Sequence, residues 1–183
     1  FPSARFVGVD NSPRAIAEAR AYATELGLTN VEFREEDIRD TATCGEEFDY
    51  ILAHGVYSWV PPEVRRSLWK VVQSCLSASG VGYISYNTLP GWSVRGMFGE
   101  LLRFHADSDS APQQVASARR LLEWLPESLP GKNNPYSIAL QGEVQRLKGL
   151  DDGYLCHEFL EHDNHPVLFR EFACEFSEHG LRY

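Results

Sequence analysis

Arg5-Phe6-Val7-Gly8-Val9-Asp10 is a short apolar run that closes on an acid, and Asn11-Ser12-Pro13 follows at once. Such a run, rich in β-branched residues, reads as a strand buried in a parallel sheet. Ser12 then stands as a helix N-cap, with Pro13 at the first helical position. The predicted helix carries Ile16, Ala19, Ala23 and Leu26 on one face, and Gly27 closes it. One strand-turn-helix unit is thus written into the first stretch of the chain.

Moving outward, Val31-Glu32-Phe33-Arg34 alternates as a second strand, and Phe48-Asp49-Tyr50-Ile51-Leu52-Ala53-His54 predicts a third. Pro61-Pro62-Glu63 opens a helix whose apolar face is Val64, Leu68, Val71, Val72 and Leu76, and Gly80-Val81-Gly82-Tyr83-Ile84-Ser85-Tyr86 predicts a fourth strand. Strands and helices in this order argue for parallel β/α units with right-handed crossovers, an α/β class. From Trp92 the period turns helical. Helices are predicted near 92–106, 112–126, 136–148 and 166–179, with breaks at Pro112, Pro126, Pro130-Gly131 and Asn133-Asn134-Pro135. The expected organisation is an α/β core over 1–91 and a mostly helical region over 92–183.

Composition narrows the function classes. Of the 183 residues 43% are hydrophobic and 23% charged, which is ordinary globular usage and sets aside disordered and collagen-like chains. The net charge is −9, so the overall field repels polyanions and disfavours nucleic-acid substrates. Cys44, Cys75, Cys156 and Cys174 form no C-x-x-C pair, which suggests free thiols in a reducing, cytoplasmic setting. No apolar run is long enough to span a membrane. The start is not a signal peptide, and both ends read as cuts through a longer protein. Arg119, Arg120 and Lys132 read as solvated surface charges. His157 and His162 stand five apart, about 140° around a helix, so they do not share a face as zinc ligands need. No metal is expected.

Open parallel sheets hold ligands at the carboxyl ends of their strands. Those positions here are Asp10-Asn11, Glu36-Asp37-Ile38, His54-Gly55-Val56-Tyr57 and Tyr86-Asn87-Thr88. A strand-end acid accepts hydrogen bonds from both ribose hydroxyls of a nucleoside. An Asp on the next strand, beside an aliphatic residue, holds an adenine edge and covers its face.

Val7-Gly8-Val9-Asp10-Asn11-Ser12-Pro13, with its Ala-rich helix, resembles the second-strand motif of class I S-adenosylmethionine-dependent methyltransferases. Val31 to Ile38 resembles their third-strand motif, Phe48 to Val56 their fourth, and Leu76 to Tyr83 the entry to their fifth. A narrower resemblance is to the bacterial members carrying a methyltransferase regulatory domain. It rests on Ser85-Tyr86-Asn87-Thr88-Leu89-Pro90-Gly91-Trp92, on Tyr154-Leu155-Cys156-His157-Glu158-Phe159-Leu160, and on Gly180-Leu181-Arg182-Tyr183. The resemblance implies a Rossmann-like fold and S-adenosyl-L-methionine as cofactor, with Asp10 and Asn11 at the ribose and Asp37 and Ile38 at the adenine. It places Ala53 and His54 at the methionine end, and gives His54, Tyr86 and Asn87 as catalytic candidates and Tyr57, Trp59 and Trp92 as substrate contacts.

Plainer readings stand beside these. Asp10 also suits a strand-end acid leading into a helix cap, or the ribose of NAD. Asp37 also suits a solvated acid. His54 fits a general base or a partner of a loop carbonyl. Trp92 fits a cation–π contact to the sulfonium or the core of the next helix. The family's glycine-rich turn and its first strand are not in the sequence, and Gly80-Val81-Gly82, the one G-x-G, opens a strand. A chain without that turn is expected to bind the cofactor weakly. The expected activity is methyl transfer to an O or N nucleophile of a small molecule or protein; a non-catalytic nucleoside-binding module and an NAD-dependent oxidoreductase are the alternatives.

Overall fold

The computed structural model describes residues 1–40, 45–106, 108, 110–128 and 134–183. They pack as two compact units, 1–86 with 169–183, and 87–168.

In the first unit β1 (Phe6–Asp10) pairs in parallel with β2 (Val31–Glu35), with Asp10 opposite Glu35. Gly8 is required there: a Cβ would stand 2.8 Å from the Phe33 ring. Between them runs α1 (Pro13–Glu25), capped as the sequence predicts, with the Ser12 hydroxyl accepting from Ala15 N–H. Gly27, at φ +65°, turns the chain out of the helix. The parallel pair β3 (Phe48–Ala53) and β4 (Leu76–Ile84) carries α2 (Pro62–Cys75) as its crossover. Leu68, Trp69, Val72 and Cys75 of α2 are buried, and the Val72 side chain faces Gly82. On one face of the β3–β4 pair the cross-strand neighbours Tyr50 and Val81, and Leu52 and Tyr83, are exposed.

The second unit begins with the two-residue strand β5 (Thr88–Leu89), paired in parallel with β6 (Val167–Leu168). Its core comes from α3 (Ser93–His105), α4 (Ala111–Ser128) and α5 (Pro135–Lys148), together with α6 (Asp152–Leu155) and the π-helical turn Cys156–Leu160 that continues it. Phe98, Leu102, Leu122, Val144, Leu147, Leu155 and Phe159 are buried together at its centre. Arg103 donates from Nη1 to the carbonyls of Phe159 and Glu161, serving acceptors that the π-helical turn frees. The last helix, α7 (Phe169–Glu178), returns to the first unit.

Several sequence expectations shift. The contact division falls at Tyr86 and again before Phe169, not at 91/92, because Phe172 and Phe176 of α7 pack against Trp69 and Tyr86 of the first unit. Pro126 does not end its helix; α4 runs two residues beyond it, to Ser128. Cys75 is disulfide-bonded, which corrects the reading of free thiols throughout; Cys156 and Cys174 are free, and Cys44 and Lys132 lie outside the described residues. Arg119 is no solvated charge. It donates to the carbonyls of Leu147, Lys148 and Leu150 and pairs with Asp152.

Candidate functional site

The strand tips of the first unit carry most of the candidate residues. Asp10 ends β1 and is exposed, and its Oδ1 accepts from Ser12 N–H at 2.7 Å. This Asx-turn uses one carboxylate oxygen to launch α1. It leaves the other pointing at no described residue, with Asn11 exposed beside it. The Asp10 carbonyl accepts from Glu36 N–H, which brings the loop after β2 to the same end of the pair. In that loop Asp37 is gripped by Arg39: Oδ1 accepts from the Arg39 N–H and Nε, and Oδ2 from Nη2 at 2.6 Å. These hydrogen bonds hold the Asp37 carboxyl at about 2, well below its ordinary value. Ile38, next to it, is half-buried.

A carboxylate can accept about four hydrogen bonds. Asp10 therefore keeps an open oxygen of the kind a ribose diol needs, while Asp37 serves Arg39 on both of its oxygens. A carboxylate acceptor such as that of Asp10 suits the hydroxyls of a nucleoside.

The end of β3 is built differently. Ala53 is buried, and its carbonyl accepts from Ser85 N–H. Gly55, at φ +68°, donates its N–H to the Ser85 hydroxyl at 2.8 Å. A positive φ is open to glycine at little steric cost, so the chain turns sharply here. His54, between these anchors, is exposed and stacks on Tyr83 with centroids 6.1 Å apart. Its ring lies beside a sheet-face side chain.

A 3-10 turn over Tyr57–Trp59 then drives Tyr57 inward until it is fully buried. Tyr57 meets Trp69, Tyr86 and Phe172 edge-on at centroid distances of 5.3–5.9 Å. Tyr86 stacks face to face on Phe172 at 4.1 Å. Burial, and then the hydrogen bond to Glu175, push the Tyr57 hydroxyl's pKa well above the ordinary tyrosine value. Tyr57 and Tyr86 are therefore anchors of an aromatic cluster, while Trp59 is half-buried beside it.

A cleft of about 280 Å³ opens over Arg65, Trp69, Glu175 and His179. Charges of both signs line it, and the strand tips do not.

The second unit holds the other two candidates. Asn87 donates from Nδ2 to Asn164 Oδ1 at 3.0 Å, and its carbonyl accepts from Val167 N–H. Trp92 is buried at the start of α3, with the Arg95 guanidinium 5.2 Å from its ring. Among the described residues no group of three His, Cys, Asp or Glu side chains could hold a metal ion, and no helix is long and apolar enough to cross a membrane. The sequence reading missed Glu175, which joins the aromatic cluster from α7. Its one signal was an acid beside the apolar face of Phe172, Ala173 and Phe176.

Comparison with known proteins divides the chain at other points. A family model described as a methyltransferase domain matches residues 1–88, and one described as a predicted methyltransferase regulatory domain matches residues 151–183. The uncharacterized protein RP789 of Rickettsia prowazekii is 41% identical over all of this chain and 33% of its own length. RP028 of the same organism is 32% identical over 94% of this chain and 69% of its own. The structure of PKMT2 from Rickettsia typhi, solved also in complex with AdoHcy, covers 100% of this chain at 33% identity and a TM-score of 0.88. The chain spans about a third of the length of RP789 and of PKMT2.

Proposed function

Because the chain belongs to the class I S-adenosylmethionine-dependent methyltransferases, in the group with a methyltransferase regulatory domain, we propose that the protein methylates an O or N nucleophile of a small molecule or another protein. The observation that carries this reading is the likeness, over the whole chain, to a structure that binds AdoHcy, the product left once the methyl group has gone. Net charge −9 favours an acceptor that is not a polyanion.

When bound, the cofactor supplies a sulfonium whose methyl group is electrophilic. The chain's residues bind and orient. Asp10 takes the ribose hydroxyls on its open oxygen, and Asn11 lies beside it. Asp37 and Ile38 meet the adenine, one by hydrogen bonding and one by contact. The backbone from Ala53 to Val56, held by Ser85, lines the methionine end. His54, an exposed imidazole in that segment, takes the proton that an O–H or N–H nucleophile releases as its lone pair attacks. The nucleophile must lie in line with the breaking carbon–sulfur bond, so positioning carries most of the rate. Tyr57 and Tyr86 act as supports of this loop. Trp59 remains a substrate-side candidate.

Calorimetry with S-adenosylhomocysteine on the full-length protein tests the reading. Wild type is expected to give saturable heat. Asp10→Asn keeps an oxygen for Ser12 N–H but loses the charge, and is expected to weaken binding about tenfold or more. No saturable heat from wild type would turn the reading to a non-catalytic module.

A further inference from the structure

The Glu175 carboxylate is the acceptor at which three elements meet. Its Oε2 accepts from the Tyr57 hydroxyl at 2.6 Å and from Trp69 Nε1 at 2.9 Å. Tyr57 belongs to the turn after β3, Trp69 to α2 and Glu175 to α7. Tyr57 is 0% exposed and Trp69 3%. Donors this buried have no water to turn to, so leaving them without an acceptor costs their full desolvation. The Arg65 guanidinium lies 5.4 Å from the centre of the Tyr57 ring, and Arg65 and Glu175 line the same cleft.

The consequence falls on the segment between the two fixings. On one side Gly55 N–H is bonded to the Ser85 hydroxyl, and two residues later Tyr57 is bonded to Glu175. Residues 53 to 56, which the proposed function sets against the methionine end of the cofactor, contain the first fixing and run directly into the second. α7 lies inside residues 151–183, which match the regulatory-domain model, whereas Tyr57 and Trp69 lie inside 1–88, which match the methyltransferase model.

We propose that Glu175 is a positioning residue, through which the regulatory-domain segment holds the post-β3 loop in its cofactor-binding form by way of Tyr57. Glu175 does not touch the cofactor. It reduces the number of conformations open to the loop before binding, and so removes an ordering cost that binding would otherwise carry. The inference rests on the methyltransferase reading of that loop.

The test is S-adenosylhomocysteine affinity of the full-length protein, measured by calorimetry at a temperature where circular dichroism reports each variant folded. Glu175→Ala is expected to raise Kd about tenfold, and Glu175→Gln, which keeps a carbonyl acceptor, to stay within about threefold of wild type. Tyr57→Phe removes only the hydroxyl and leaves the ring packing. It is expected to raise Kd about fivefold with its melting cooperative, and it decides the matter if Glu175→Ala does not fold. A red shift of tryptophan emission in Glu175→Ala, and its absence in Glu175→Gln, would report that the Trp69 bond follows the same pattern. Wild-type affinity in Glu175→Ala, or in Tyr57→Phe where Glu175→Ala does not fold, overturns the inference and leaves the methyltransferase reading standing. No binding by wild type overturns both.

Discussion

Asp37 and Asp10 sit at neighbouring strand ends, yet their environments differ. Asp10 is committed on one oxygen, to Ser12 N–H, whereas Asp37 faces Arg39 on both. The Arg39 hydrogen bonds stabilise the charged form of Asp37 and lower its pKa to about 2. The sign follows by linkage: a carboxyl lowered in the folded state contributes stability above its unfolded value of ~3.9, and that contribution fades as pH falls from there toward the folded value. In an NMR titration Asp37 is expected to titrate near 2 in wild type, and Arg39→Ala to move its midpoint up toward ~3.9. An unmoved midpoint would mean that Arg39 does not engage Asp37 in solution. The Ser12 cap beside Asp10 was legible in the sequence because its partner, Ala15 N–H, is three residues away. The Asp37 grip is just as local, but Glu35, Glu36 and Asp40 also stand close to Arg39 in the sequence, and the fold of the loop chose Asp37.

At the scale of elements, a helix ends in carbonyls that have no partner within it. For α5 those ends include Leu147 and Lys148, and Arg119 of α4 supplies donors to both, reaching Leu150 and Asp152 as well. A cation at a helix C-terminus also meets the negative end of the helix dipole. Arg119 is only 27% exposed, so these bonds are sheltered in part. Arg119→Ala is expected to cost about 2 kcal/mol in urea unfolding of the full-length protein. Arg120→Ala, at an exposed position next to it, is expected to shift stability by less than about 0.5 kcal/mol. Equal effects would show the clamp to be idle. The helices themselves were legible because apolar spacing reports a face; nothing in that spacing separates Arg119 from Arg120.

For the whole molecule, the second unit has an apolar core of its own, contributed by α3, α4, α5 and the 152–160 segment. Leu122 is 0% exposed at its centre. Leu122→Ala removes buried methyl groups and leaves a cavity, and is expected to lower unfolding free energy by about 2–5 kcal/mol by urea titration. A change below about 1 kcal/mol would mean that this core is not formed as described. The first unit is discontinuous in sequence, since α7 joins it after the whole of the second. The sequence division placed 169–178 with the helices it follows, because a helix declares its apolar face and not the surface that the face will meet.

Taken alone, the chain's residue order determined what is local or periodic. Strand, cap, helix and glycine turn around Asp10 follow from contacts within a few residues, as do the parallel β/α class and the positions of the strand tips. Tertiary structure alone decided that Glu175 binds Tyr57 across 118 residues and Trp69 across 106, that Tyr86 stacks on Phe172, and that Asn87 pairs with Asn164. Hydrogen bonds and ring contacts at such separations leave no period in the sequence, because their partners are selected by the packing of whole elements.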